Sequence, residues 1–203
     1  MTRGLKAGRL LVATHNTGKV EEFRRILEPK GIEVLAGSDL GLRAPAETEN
    51  SFEGNARVKA VAAAAATGLP ALADDSGLAI DALGGRPGIH TADWAEIGGE
   101  RDFGHAMRRA HEELSASGAP EPWACRFVCA LALCWPDGHC ETFVGTVEGT
   151  FVWPPRGVMG HGYDPVFVPA GRSRTFAEMS AAEKDAISHR SSAIAALLAR
   201  CFT

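Results

Sequence analysis

The stretch "RLLVATHNTGKVEEFRRILEPKGIEVLAG" (residues 9–37) changes its hydrophobic period twice. "RLLVAT" (9–14) is a short continuous apolar run, as a buried strand would be. "GKVEEFRRILEP" then spaces Val20, Phe23 and Leu27 along one helical face and stops at Pro29. "IEVLAG" (32–37) returns to a strand pattern. Strand, helix and strand within 29 residues point to an α/β chain.

The rest of the chain extends this reading. "NSFEGNARVKAVAAAAATG" (50–68) predicts a helix, with Asn50 and Glu53 as a capping box and Gly68 as the stop. "PALADD" and "GLAIDAL" predict two short strands about a turn, and "ERDFGHAMRRAHEEL" (100–114) a helix. "WACRFVCALALCW" and "HCETFVGTVEGTF" predict a hairpin turning at "PDG". A last helix is expected from Ser180, capped by Ser180 and Glu183 and broken at Ser188. With no low-complexity linker or repeat, residues 1–203 are expected to form a single two-lobed domain around one sheet.

Composition narrows the function classes. The hydrophobic share of 45% and charged share of 23% suit a soluble globular protein. A net charge of −4 speaks against nucleic acid as the main partner. The N-terminus lacks the apolar stretch of a signal peptide, and "AVAAAAA" and "FVCALALCW" are too short to span a membrane. The five cysteines are odd in number and form no C-x-x-C pair, which argues against zinc. Three lie in a predicted buried strand, where cysteine acts as a small apolar residue, so a reduced, cytoplasmic setting is expected.

Four segments carry candidate chemistry. In "ATHNTGKVEEF", a polar turn of Thr14, His15, Asn16, Thr17 and Gly18 leads to Lys19 at a helix start. Amides there can hold an anion, or the turn can simply be capped by Asn16 and Thr17. Asn55 and Lys59 are four apart and share a helical face downstream of Glu47, a face that solvent alone would also explain. Asp74 and Asp75 alternate along a strand, so one can face a Mg²⁺ site while the other braces a turn, or both can belong to a capped turn. In "GHGYDPVF" and "AEKDAISHRSS", a loop shaped by glycines is expected to present His161, Gly162, Tyr163 and Asp164, beside Lys184, His189 and Arg190. An ordinary loop and a basic helix surface would show the same residues.

The ordered set "ATHNTGKVEEF", "ETENSFEGNARVKA", "ADDSGLAIDALGGRPGI", "GYDPVF" and "TFAEMSAAEKDAISHR" resembles the Ham1/RdgB-like family of noncanonical purine NTP pyrophosphatases across nearly the whole chain. The resemblance implies an elongated two-lobed α/β fold, with a central mixed β-sheet flanked by helices and an active-site cleft between the lobes. It implies a homodimer and Mg²⁺-dependent hydrolysis of a small-molecule nucleoside triphosphate (ITP, dITP or XTP) to the monophosphate and pyrophosphate. Carried over by position, Thr14 to Lys19 form the triphosphate turn and Lys59 faces the phosphates. Glu47 and Asp75 hold the metal, with Asp75 also the proton acceptor, and Ser76 touches substrate. Residues 162–164, with Lys184, His189 and Arg190, surround the base and sugar. The chain departs from the family pattern at His15, at His161 and at "TAD" (91–93). A different nucleotide hydrolase and a nucleotide-binding sensor are the rival readings.

Overall fold

The computed structural model describes residues 3–5, 8–14 and 16–201. The opening stretch folds as its periods require. Strand β1 (Gly8–Val12), helix α1 (Thr17–Leu27) and strand β2 (Ile32–Ala36) follow one another. Asn16 caps α1, its Oδ1 accepting from the Lys19 amide at 3.1 Å, and Val20, Phe23 and Leu27 are the buried face. A short 3₁₀ turn at Glu28–Lys30 contains Pro29 and ends the helix.

Helix α2 runs Phe52–Thr67. Its cap is Ser51 rather than Asn50: the Ser51 hydroxyl accepts from the Gly54 amide at 3.1 Å, which moves the start one residue on. Strand β3 (Ala71–Ile80) corrects a larger expectation. It is one ten-residue strand, not two about a turn, and only Ser76 in it is not fully buried. Asp-Asp-Ser-Gly has turn composition, but lysines offset both carboxylates, so burial of the flanking apolar residues keeps the backbone extended.

The third helix also begins later than expected. Glu96–Ile97 (β4) and Glu100–Arg101 (β5) pair antiparallel, so α3 spans Phe103–Ser117 with Asp102 as its cap. Strands β6 (Trp123–Cys134) and β7 (Cys140–Phe151) form the expected hairpin. A short strand β8 (Phe167–Pro169), not foreseen, pairs antiparallel with β7. Helices α4 (Ala181–Asp185) and α5 (His189–Cys201) lie either side of Ser188, and the Ser180–Glu183 capping box is formed. The sheet order is β2-β1-β3-β6-β7-β8. β1 runs parallel to both β2 and β3, so the sheet is mixed.

One cysteine of the buried strand, Cys134, does not act simply as a small apolar residue. Cys134 and Cys140 form a disulfide across the β6–β7 turn, while Cys125, Cys129 and Cys201 are buried and not disulfide-bonded. The Cα atoms are 4.2 Å apart, close to the spacing of about 4.5 Å in a non-hydrogen-bonded antiparallel pair.

The chain divides into two compact units. The first comprises Met1–Asp75, Ala130–Val144 and Ala193–Thr203; the second comprises Ser76–Cys129 and Gly145–Ser192. The first has a core of small residues, in which Ala56 and Ala60 of α2 meet Ala73, Ala130 and Ala132. The second has an aromatic core that includes Trp94, Trp123, Phe127, Phe151, Phe167 and Phe176. No described helix is long and apolar enough to cross a membrane.

Candidate active site

In the first unit, β3 sends Asp74 and Asp75 to different lysines. Lys19, from the first turn of α1, donates its Nζ to Asp74 Oδ2 at 2.5 Å. Lys59, from α2, donates to Asp75 Oδ1 at 3.0 Å and to Glu47 Oε1 at 2.7 Å. Glu47 and Asp75 lie far apart in sequence, yet both accept from one ammonium. Asp74 therefore does not brace a turn; it anchors Lys19.

The electrostatics follow from that sharing. Burial pushes the Asp75 carboxyl up to about 6; Lys59 pulls it down, while Glu47 and Asp74 add to the rise. Burial lowers the Lys59 pKa, but Asp75, Glu47 and Asp74 outweigh it, so the ammonium is held above its ordinary value. Three carboxylates and two ammonium groups leave this group one positive charge short. Among the described residues, no three His, Cys, Asp or Glu side chains form a metal cluster. The acidic donors at Lys59 are two carboxylates, a set that suits Mg²⁺, which keeps several waters and completes its shell from substrate phosphates. Lys59 marks the point where a cation is already held.

Thr14 lies at the end of β1, and its Oγ1 accepts from the Asn16 amide at 3.2 Å. Thr14 and Lys59 both line a cavity of about 60 Å³ whose other walls include Ala13, Leu42 and Arg43. Thr17 and Gly18 are exposed in the first turn of α1. His15 lies outside the described residues. Asn55 shares a helical face with Lys59, and that four-residue spacing is its signal in the sequence. It is 1% exposed and stands between the Glu47 loop and Asp75.

In the second unit, the loop does not present all the residues expected of it. His161 is exposed, but Tyr163 is 1% exposed and packs edge-on to Phe103. Its hydroxyl pKa is pushed up, chiefly by burial. Asp164 is also buried; it accepts from Lys184 Nζ and from the His161 amide at 2.9 Å. A side chain at Gly160, where φ is +74°, would collide with Asp164 Oδ2, so glycine is required for this closure. Lys184 also lies over the Phe176 ring, 5.3 Å from its centroid. His189 opens α5 and stacks on Phe127, with ring centroids 4.9 Å apart and planes 13° from parallel. Arg190 is buried beside it, and Ser76 is half-buried in β3. Phe127, which orients the His189 ring, carried no signal in its own strand pattern. In the replaced "TAD" segment, Asp93 pairs with His90 at 2.8 Å.

The Ham1 family model matches residues 10–200. The chain is 55% identical over 202 residues to the dITP/XTP pyrophosphatase of Ruegeria pomeroyi, covering 100% of this chain and 99% of the relative. It is 53% identical to the dITP/XTP pyrophosphatase of Zymomonas mobilis, covering 98% and 94%. Among solved structures, a HAM1 protein from Coxiella burnetii superposes with a TM-score of 0.87 at 34% identity, covering 93% of this chain and 95% of that one. A dITP/XTP pyrophosphatase from Mycobacterium abscessus gives 0.78 at 41% identity, covering 94% and 98%. Sequence agreement along almost the whole length and a shared backbone place the chain in the Ham1 family.

Proposed function

We propose that this chain hydrolyses noncanonical purine nucleoside triphosphates (ITP, dITP and XTP) to the monophosphate and pyrophosphate, with Mg²⁺ as cofactor. The observation that carries this reading is the convergence of Glu47 and Asp75 on the Lys59 ammonium, one positive charge short of balance. The names of the close relatives support the substrate class.

Glu47 and Asp75 would hold the ion. Bound there, Mg²⁺ would offset charge on the phosphate oxygens. Asp75, ionised at neutral pH, orients the attacking water and takes its proton. The water oxygen bonds to the α-phosphorus, the bond to the bridging α–β oxygen breaks, and pyrophosphate leaves. Lys19, Lys59 and the amides opening α1 supply positive charge for the β- and γ-phosphates. Positioning and charge account for most of the catalysis in such phosphoryl transfer.

Base recognition falls to the second-unit residues. His189, held against Phe127, and Arg190 are the proposed donors to the C6 oxygen of hypoxanthine or xanthine. Adenine carries an amino group there and would leave them unpaired, a mismatch that rejects by about 10⁴-fold in favourable sites. His161 is the proposed stacking residue, and Lys184 is held in place by Asp164. A homodimer and a cytoplasmic location belong to the same proposal.

The test incubates the protein and Mg²⁺ with ITP, dITP, XTP, GTP and ATP and identifies the products. We expect pyrophosphate and monophosphate from the first three and little from ATP. Orthophosphate as the product would overturn the reaction class.

A further inference from the structure

We infer that Asn55 is a positioning residue that fixes Asp75 and the Glu47 loop relative to each other. The inference rests on the functional reading above and deepens it. Asn55 is 1% exposed, so both ends of its amide must find partners. Its Oδ1 accepts from the Glu49 amide at 3.0 Å, two residues from Glu47. Its Nδ2 donates towards Asp75 Oδ2 at 3.5 Å, while Lys59 holds the other oxygen, Oδ1. One rigid amide therefore ties a backbone on one side of the site to a carboxylate on the other. The bond to Asp75 is long, as catalytic hydrogen bonds commonly are before substrate arrives.

Two neighbouring features brace the same geometry. Ser51 Oγ accepts from the Gly54 amide and fixes where the loop enters α2. A Cβ on Gly54 would lie 2.6 Å from Glu49 Cβ, so only glycine lets the loop lie this close to the helix. The loop is thus packed on the helix turn that carries Asn55, and Asn55 supplies the polar link onward to Asp75. Partners that orient metal-binding carboxylates typically matter 10–100-fold for metal affinity or activity.

The experiment compares wild type, Asn55→Ala, Asn55→Asp and the control Ala64→Gly. It measures melting temperature, kcat and KM for dITP, and Mn²⁺ affinity by electron paramagnetic resonance without substrate. Ala64 is buried on α2 away from these contacts, so its glycine variant reports helix destabilisation alone. Asn55→Ala is expected to lose about 10–100-fold in both kcat and Mn²⁺ affinity, with KM within about threefold because Lys19 is untouched. Asn55→Asp keeps the acceptor for the Glu49 amide, and so the fold, but loses the donor to Asp75; its kcat should fall at least about tenfold. Ala64→Gly should keep both kcat and Mn²⁺ affinity. Wild-type values within twofold for either Asn55 variant in kcat, or for Asn55→Ala in Mn²⁺ affinity, would overturn the inference. So would losses that Ala64→Gly reproduces at an equal fall in melting temperature. If wild type itself neither binds Mn²⁺ nor cleaves dITP, the functional reading fails instead.

Discussion

Asp75 shows how one side chain can serve chemistry at the expense of stability. Its ordinary pKa is 3.8, and the fold raises it to about 6, chiefly by burial. The folded state therefore binds this proton more tightly than the unfolded state does. That contribution to stability is complete below about 3.8 and is lost as pH rises through about 6. At pH 8 the ionised carboxylate costs the fold up to about 3 kcal/mol. Replacing Asp75 by Asn removes the charge and keeps the shape. In the absence of divalent ions, Asp75→Asn should melt several degrees above wild type at pH 8, and the gain should vanish by pH 4. Its kcat should fall by at least about 10²-fold. Thermal scans at the two pH values and a steady-state assay check both parts. An equal gain at both pH values would refute the electrostatic account, and near-normal turnover would refute the catalytic role. The sequence marked Asp75 and Glu47 through their motif context. It did not show that Lys59 grips both, because a long flexible side chain leaves no spacing signature for its partners.

At the scale of elements, local chemistry was legible where it was self-contained and misleading where a distant partner decided. The Ser180–Glu183 box and the Val20–Phe23–Leu27 face are formed within one element, and both are present. The Asp-Asp-Ser-Gly run reads as a turn until Lys19 and Lys59 arrive from two helices to offset its charges. The hairpin cysteines follow the same rule. Their pairing depends on register, and a slip of one residue would turn one thiol to the opposite face. The bridge predicts a thiol count. Denatured without reductant, the chain should titrate as Cys125, Cys129 and Cys201 alone; five thiols would refute the disulfide. The closed loop is short, so reduction should lower stability by only about 2 kcal/mol. Equilibrium unfolding with and without a dithiol reductant measures that difference.

For the whole molecule, the α/β class and the order of the principal elements were legible because hydrophobic period is a local property. The boundaries of the two units were not, because they are set by contacts distant in sequence. Each unit is discontinuous: the chain passes from one to the other within β3, β6, β7 and α5. Neither unit can be cut out as one contiguous fragment, and losing either core breaks strands that the other also uses. Two separate cores linked by four shared elements should therefore unfold together, despite their different composition. The tryptophans allow a test. Trp94, Trp123 and Trp153 belong to the second unit, whereas Trp135 and helices α1 and α2 belong to the first. Tryptophan fluorescence thus reports mainly the second unit, and far-UV circular dichroism reports helices of both. In urea the two signals should trace one coincident transition, with equal midpoints and equal slopes. Separated midpoints, with fluorescence changing while much of the helical signal persists, would show that the aromatic core unfolds on its own and that the shared elements do not couple the units.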